Sequence, residues 1–244
     1  MSWVRNHRWL AAIVALILTC SVLTMAGHAK ESREAQSVLS PTGYSNKDEI
    51  VRVYGARTWG KKGIFAIHTW IVVKPSGSDD FKRYEVIGWR LRYGRSALKI
   101  SDWSGETDWW GNPGELIMEW RGDGTTNVAD RIDAFAQRYS AASSYVVWPG
   151  PNSNTFVAEV GRAIPELRLD LPAKAIGKHY RVSDSFFGRS VSGTGVQISL
   201  AGFFSLAVGV EEGIEIGALG INIEWDIFDL AVELPIIGRL GGSQ

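Results

Sequence analysis

One alternating stretch near the C-terminus, "GVQISLAGFFSLAVGVEEGIEIGALGINIEWD" (195–226), most constrains how this chain can fold. Side chains of a β-strand point to opposite faces in turn, so alternation of apolar and polar residues indicates a strand with two unlike faces. Glycines separate the alternating segments, as tight turns require. The segment therefore predicts a β-meander with one polar face, and the alternation is clearest at Ile214, Glu215 and Ile216, and at Ile221, Asn222, Ile223, Glu224 and Trp225.

The first 29 residues differ from the rest of the chain. Arg5 and Arg8 precede an apolar run of 19 residues (9–27), and small residues follow it. This order is typical of a secretory signal peptide, but the run is also about as long as a bilayer-spanning helix needs to be. Residues 1–29 are therefore predicted to be a signal peptide or a membrane anchor. A cleaved signal peptide predicts a periplasmic protein, and an uncleaved anchor predicts a protein that is attached to the membrane and faces the periplasm.

Composition excludes several classes of function. Cys20 is the only cysteine and lies inside the apolar run, so the exported part has no disulfide and no thiol nucleophile. The formal net charge is zero and no block of like charge occurs, which argues against nucleic acid as a partner. No phosphate-binding or metalloprotease motif is present, and the exported histidines, His68 and His179, lack metal-ligand spacing. We therefore expect no cofactor and no metal site.

The order of predicted elements indicates an α+β fold. After a polar linker (30–46), short strands separated by turn residues indicate antiparallel hairpins, and two amphipathic segments indicate helices. We expect a core domain over 47–180, with an antiparallel sheet packed on two or more helices, and a β-rich C-terminal extension over 181–244. The predicted strands are 50–57, 64–75, 83–94, 96–103, 114–120 and 144–148, and the predicted helices are 126–139 and 156–164.

His68 lies in the apolar segment "AIHTWIVV", and a buried imidazole needs a hydrogen-bond partner. Glu85 is the only acid in the next predicted strand, and a hairpin turning at 76–80 would bring it near the His68–Trp70 end. Two interpretations follow. His68 is a core residue bonded to backbone while Glu85 is solvated, or His68 is a catalytic base that Glu85 orients.

The segment "WPGPNSNTF" (148–156) precedes a predicted helix. Ser153 at the start of a helix would have backbone N–H groups nearby to stabilise an oxyanion, and His68 would have to serve as its base. Asn, Ser and Thr are also the preferred N-cap residues, so the segment can equally be a cap without chemistry. A third interpretation is contact with a ligand. Without an acid at 156, any cap by Ser153 is expected to be a simple one.

Tryptophans are unusually frequent in the middle of the chain, where eight lie between residues 59 and 148. Trp103, Trp109 and Trp110 fall in a predicted loop. Exposed aromatic planes there could stack on sugar rings, and a polysaccharide of the cell envelope is one such ligand. The alternative is that these rings pack in the core with one polar handle each.

Five long motifs lie between about residues 50 and 240: "VYGARTWGKKGIFAIHTWIVVKP", "RYEVIGWR", "WPGPNSNTF", "LRLDLPAKAIGKHY" and "GVQISLAGFFSLAVGVEEGIEI". Together they resemble the bacterial DUF3750 family, a domain of unknown function. A more distant resemblance is to circularly permuted papain-like domains of the NlpC and lecithin:retinol acyltransferase type. In those domains a strand histidine precedes a cysteine that heads a helix after an asparagine. That resemblance implies His68 as base, Glu85 as third member and Ser153 in the cysteine position.

Three hypotheses for function follow. The first is an envelope amidase or acyl hydrolase acting on peptidoglycan or lipid, in which His68 takes the Ser153 proton. The second is a catalytically inactive envelope-binding module with the same cleft. The third is a structural protein held at the membrane by its N-terminal segment, whose region 195–240 contacts lipid or a partner; exposed apolar strand faces would favour it. The residues expected to bind substrate are Trp70, Asn152, Asn154 and Thr155.

Overall fold

The computed structural model describes residues 44–105, 107–183, 185–227 and 230–242. The predicted signal peptide or anchor (1–29) and most of the linker lie outside them. No helix within the described residues is long and apolar enough to cross a membrane. The chain has the expected α+β composition, with elements β1 (Glu49–Arg57), β2 (Ile67–Lys74), β3 (Lys82–Val86), β4 (Leu98–Asp102), β5 (Gly114–Gly122), α1 (Val128–Gln137), α2 (Ser153–Ala163), β6 (Phe187–Arg189), β7 (Val196–Leu200), β8 (Phe204–Gly209), β9 (Gly213–Ala218), β10 (Ile221–Asp226), β11 (Ala231–Leu234) and β12 (Gly238–Gly241).

The first sheet is antiparallel, with strand order β4-β3-β2-β1-β5, and it is covered on both faces. Its central strands β1 and β2 are buried at almost every position. We call the face that packs on α1 and α2 the helix face; it carries Val51, Val53, Ile71 and Val73. The opposite face, here the tryptophan face, carries Ile50, Tyr54, Trp70 and Val72, with Trp103 and Trp109 packed against them. Neighbouring residues of one strand therefore belong to different surroundings.

Both helices occur where they are predicted. In α1 the buried residues Val128, Ile132 and Ala136 lie one turn apart and face the sheet. Helix α2 begins at Ser153, three residues before the predicted start, because Asn152 is its N-cap. The Asn152 side chain accepts from Thr155 N and the Thr155 side chain accepts from Asn152 N, which completes a capping box. The expectation of a simple cap by Ser153 was therefore wrong.

Two predicted strands differ in the structure. The strand expected over 83–94 ends at Val86, and a 3-10 helix occupies Gly88–Tyr93. A Cβ at Gly88 would lie 2.4 Å from the Tyr145 ring, so this close approach requires glycine. The segment 144–148 is not a strand. Its backbone N–H groups donate locally, from Ser144 N to Ala141 O and from Val146 N to Pro151 O, and the prolines that follow cannot donate to a ladder.

The C-terminal region forms a second antiparallel sheet of seven strands, which run β12-β11-β10-β9-β8-β7-β6 in the order of the chain. The meander expected from the alternating sequence is present. Its polar face is the buried one: Glu215, Asn222 and Glu224 are covered. The apolar residues between them lie on the outer surface.

Candidate functional site

Three charged or titratable side chains meet on the tryptophan face of the first sheet. His68 Nε2 lies 2.9 Å from Glu85 Oε1, and Arg83 Nη2 donates to the same oxygen over 3.0 Å. Antiparallel pairing of β2 with β3 explains the meeting. Val72 is opposite Arg83, so the same register extended by two residues places Trp70 opposite Glu85. His68 is the next residue of β2 on that face, within reach of the Glu85 side chain. His68 and Glu85 are each buried to within a few per cent.

The protonation states of this cluster follow from burial and pairing. Burial lowers the pKa of His68, although the Glu85 carboxylate opposes that change. Burial alone would raise the pKa of Glu85, but the hydrogen bonds and positive charges of His68 and Arg83 outweigh it and hold that pKa below its ordinary value. At neutral pH the site therefore holds an ionised Glu85 and a neutral His68 whose Nε2–H donates to it.

Trp109 covers the His68 ring. The two rings are stacked with centroids 3.7 Å apart and planes 7° from parallel. On the other side of the cluster, the Arg83 guanidinium lies 4.3 Å from the centre of the Trp70 ring, which is fully buried. His68 and Trp70 thus form the foundation of the site, and neither lines the open space above it.

An open cleft of about 330 Å³ lies over Glu85 and Trp109. The floor comes from β3 and β4, where Lys99 is opposite Glu85 and Ser101 is opposite Arg83. The walls come from the segment after β4. The cleft combines aromatic surface with side chains of both charges, and its lining comprises Arg83, Glu85, Ile87, Trp89, Lys99, Ser101, Asp102, Trp103, Ser104, Asp108, Trp109 and Trp110.

Trp110 is held exposed at the rim of this cleft by a tight turn. Trp109 and Asn112 exchange two backbone hydrogen bonds of 2.8 and 2.9 Å, so Trp110 and Gly111 are the two turn residues. Trp110 has a φ of +51°, a left-handed conformation that costs a bulky residue roughly 1–2 kcal/mol. Its side chain is 66% exposed. A strained, exposed tryptophan is not explained by packing, and such positions concentrate where ligands bind.

Ser153 lies elsewhere. Thr69, the neighbour of His68 in β2, donates from Oγ1 to Asn154 Oδ1 over 2.9 Å, so the first turn of α2 is on the helix face of the sheet. Adjacent strand residues point to opposite faces, so the His68 ring points away from α2. Ser153 is buried on the helix side, near the Tyr145 hydroxyl. The structure thus brings His68 and Glu85 together and separates Ser153 from both.

The other predicted ligand-binding residues of the 148–156 segment are committed to internal bonds. Asn152 Nδ2 donates to Val147 O and Ile176 O. Asn154 Nδ2 donates to Ile67 O and Ile176 O. Thr155 Oγ1 donates to Gly177 O over 2.8 Å. These three side chains tie the start of α2 to the sheet and to the segment near 176, and all are buried.

Arg83 and the cleft residues Lys99 and Asp102 were not predicted as site residues from the sequence. The spacing of Arg83 and Glu85, two residues apart in a strand, could have indicated that both side chains share a face. Trp109 and Trp110 were noted as loop aromatics, and the structure places them at the cleft. Among the described residues, no group of three or more metal-ligating side chains is gathered together.

Comparison with protein families gives one result. The model described as "Protein of unknown function (DUF3750)" matches residues 48–180, more than half of the chain. The chain belongs to the DUF3750 family. No curated protein and no solved structure gives a significant match. The DUF3750 match spans β1–β5, α1, α2 and the whole cleft, and the second sheet follows it.

Proposed function

We propose that the DUF3750 region binds a carbohydrate of the cell envelope in the cleft over Glu85 and Trp109, and that it does so without catalysis. The observation that supports this most is the pair Trp109–Trp110. One face of Trp109 is stabilised by His68, while Trp110 stands at 82° to it and is exposed. Two aromatic planes at a right angle offer a wall and a platform for the apolar face of a sugar ring.

The polar lining suits a ligand rich in hydroxyl groups. Glu85 is an ionised acceptor, Arg83 and Lys99 are donors, and Ser101 lies along the same floor. A pocket with aromatic surface and a few convergent polar groups is the usual form of a small-ligand site. Opposite charges line the cleft together, so it suits a neutral or zwitterionic ligand better than a polyanion.

The chemistry of the cluster favours binding over hydrolysis. A carboxylic acid that protonates a leaving group needs a raised pKa, and the pKa of Glu85 is lowered. His68 is capped by Trp109, so it positions Glu85 rather than contacting the ligand. Transfer of a proton from Ser153 to His68 requires a separation of roughly 3 Å, and the two side chains serve opposite faces of β2.

The test is cosedimentation of the full chain, in mild detergent, with isolated peptidoglycan sacculi, using soluble N-acetylglucosamine oligomers as competitor. Trp110→Ala removes one stacking surface, which contributes about 1 kcal/mol to the free energy of binding, so the variant is expected to bind about fivefold more weakly. Trp59→Ala is the matched control, because Trp59 is 68% exposed and does not line the cleft. Equal losses in both variants, or no binding by the unaltered chain, would overturn the proposal. Release of soluble fragments from the sacculi would point to a hydrolase instead.

A further inference from the structure

The second sheet presents an apolar surface to the outside. Cross-strand register places its outward residues in continuous rows, for example Val196, Val208, Ile214, Trp225 and Val232. Most of these side chains are exposed. We call this surface the outer apolar face, and its further members are Phe187, Ile198, Leu200, Phe204, Leu206, Ile216, Ala218, Ile221, Ile223, Leu234 and Leu240.

The inward residues of the same strands are polar and already have partners in the rest of the molecule. Gln197 Nε2 and Ser199 Oγ both donate to His179 O, over 3.0 and 2.7 Å. Asn222 Nδ2 donates to Ala173 O over 3.0 Å. Antiparallel sheets with one wet face usually bury their apolar side. Here the polar side is bonded to the protein, so the apolar side must be covered by something else.

The size and charge of the outer apolar face limit which kind of partner can bury it. Six inter-strand spacings of about 4.8 Å make it roughly 29 Å wide, a continuous apolar surface larger than scattered exposed residues produce. Of the outward strand positions that the structure describes, only Arg189, on edge strand β6, carries a charge. The described strand positions of this face thus lack the charges that help to set the register of a protein interface.

Apolar residues continue from the face onto the connections at both ends of the strands. Phe203, Leu219 and Ile236 are exposed at one end, and Val210 and Leu230 are exposed at the other. A partner sheet stacked face to face would leave the tips of these connections in water. A fluid apolar phase would cover both the face and the tips.

Aromatic residues with a polar handle lie at the border of this surface. Trp225 is in the last outward-facing row before the β10–β11 connection. Trp148 packs edge-on against Phe203, with ring centroids 4.9 Å apart, and is about one-third exposed. Tryptophan is enriched at the level of lipid headgroups, where its ring meets acyl chains and its N–H meets water.

We propose that the outer apolar face lies on a lipid bilayer, with its aliphatic side chains in the boundary between headgroups and acyl chains. The chain's own sequence supplies the second argument. The apolar run 9–27 has the composition of a segment that enters a membrane, and only 16 residues separate it from Tyr44. At up to about 3.5 Å per residue, an anchored chain keeps Tyr44 within roughly 56 Å of the bilayer.

The bilayer contact is independent of glycan binding, since it uses the second sheet and the cleft belongs to the first. It buries apolar side chains without displacing any inward polar contact. Burial at about 25 cal/mol per Å² makes such a face a membrane-binding surface even without a spanning segment. A chain held this way has its second sheet parallel to the membrane plane.

The experiment uses the full chain with Cys20→Ser, reconstituted in phosphatidylethanolamine–phosphatidylglycerol vesicles. Leu206→Cys, at the centre of the outer apolar face, carries a nitrobenzoxadiazole label. Asp80→Cys, an exposed site between strands of the first sheet, carries the same label as control. Lipids with a nitroxide on the acyl chain are expected to quench the Leu206 label at least twofold and to leave the Asp80 label unchanged. The anchor alone would not produce this difference.

A second variant separates the face from the anchor. Ile198→Asp with Ile216→Asp places two charges beside position 206 while leaving residues 9–27 intact, and lipid quenching at 206 is expected to disappear while circular dichroism stays unchanged. Three outcomes would overturn the proposal. Quenching of the Leu206 label by aqueous iodide only would mean that the face is in water. Excimers between pyrene labels at Leu206 of two copies would mean that a second copy covers it. Shielding of the label from both iodide and lipid would indicate cover by residues 9–27.

Discussion

Thr69 Oγ1 and Asn154 Oδ1 are joined by a hydrogen bond of 2.9 Å that runs from β2 to the first turn of α2. This bond shows which face of β2 the helix covers. Thr69 takes the helix side, so His68 takes the other and meets Glu85 and Trp109. Bringing His68 to Ser153 would require a shift of one residue in β2, and such a shift reverses every side chain of the strand.

Asn154 should matter more for stability than Ser153. Its amide makes three hydrogen bonds, and Asn154→Ala leaves Thr69 Oγ1 and two half-buried carbonyls without that partner. The expected loss in the free energy of unfolding is about 2–3 kcal/mol. Ser153→Ala removes one hydroxyl and should cost about 1 kcal/mol. Urea unfolding of both variants in detergent would measure this, and a larger loss for Ser153→Ala would contradict the arrangement.

The His68–Glu85 pair predicts loss of stability in acid. The pKa of His68 is lowered by burial, so its contribution is present above its ordinary value of about 6.5 and declines as pH falls below it. The pKa of Glu85 is also lowered in the folded state despite burial. Its contribution is therefore present above about pH 4.3 and is lost as pH falls through the folded pKa.

Glu85→Gln should accordingly lower the melting temperature at pH 7 and flatten its decline below about pH 4.3, because the glutamine cannot titrate. The matched control is Glu115→Gln on β5, whose side chain is exposed. Melting curves followed by circular dichroism from pH 3 to pH 8 give the comparison. If Glu85→Gln and Glu115→Gln behave alike, the paired carboxylate does not contribute.

Glu224 is expected to lower the stability of the fold as pH rises, which is the opposite of the His68–Glu85 pair. Burial raises its pKa, and the neighbouring Asp170 carboxylate raises it further. A carboxyl with a raised folded-state pKa contributes stability below its unfolded pKa and loses it as pH rises toward the folded value. Glu224→Gln keeps the shape and cannot ionise. We expect the free energy of unfolding of the variant to exceed that of the unaltered chain by more than about 1 kcal/mol at pH 8, with a much smaller difference at pH 5. Parallel stability curves would refute this.

Leu206 and Ala207 are neighbours in β8 with opposite environments, 41% and 1% exposed. Leu206→Ser should change the free energy of unfolding in detergent by no more than about 0.5 kcal/mol. Ala207→Leu overpacks the buried side of the sheet and should cost about 1–3 kcal/mol. Chemical unfolding of the two variants checks the orientation of the sheet directly. A reversed ranking would mean that the apolar side is the buried one.

Some of this arrangement was accessible from sequence. The turn at 76–80 indicated that Glu85 lies near the His68–Trp70 end, but the register that brings the two side chains together could not be read from the sequence. The face of His68 did not follow, because β2 is apolar on both sides and its sequence does not indicate which side a helix covers. Likewise, the alternation at Ile214, Glu215 and Ile216 shows that the two faces of the second sheet differ, but it does not show which of them is covered by the rest of the protein. The cap at Asn152 was missed because Thr155, rather than an acid, completes its box.

The bonds from the second sheet to the backbone at Ala173 and His179 have a consequence for cooperativity. Arg162 adds to them by donating to both Lys178 O and Gln197 Oε1, and the buried Lys178 pairs with Glu215 over 2.7 Å. A chain stopped at residue 180 would keep the buried Lys178 and lose Glu215, the carboxylate that pairs with it, while Arg162 would keep its ion pair with Glu159 and lose the bond to Gln197. The family match ends there, but we expect calorimetry of the full chain to record a single transition, with both sheets melting as one unit.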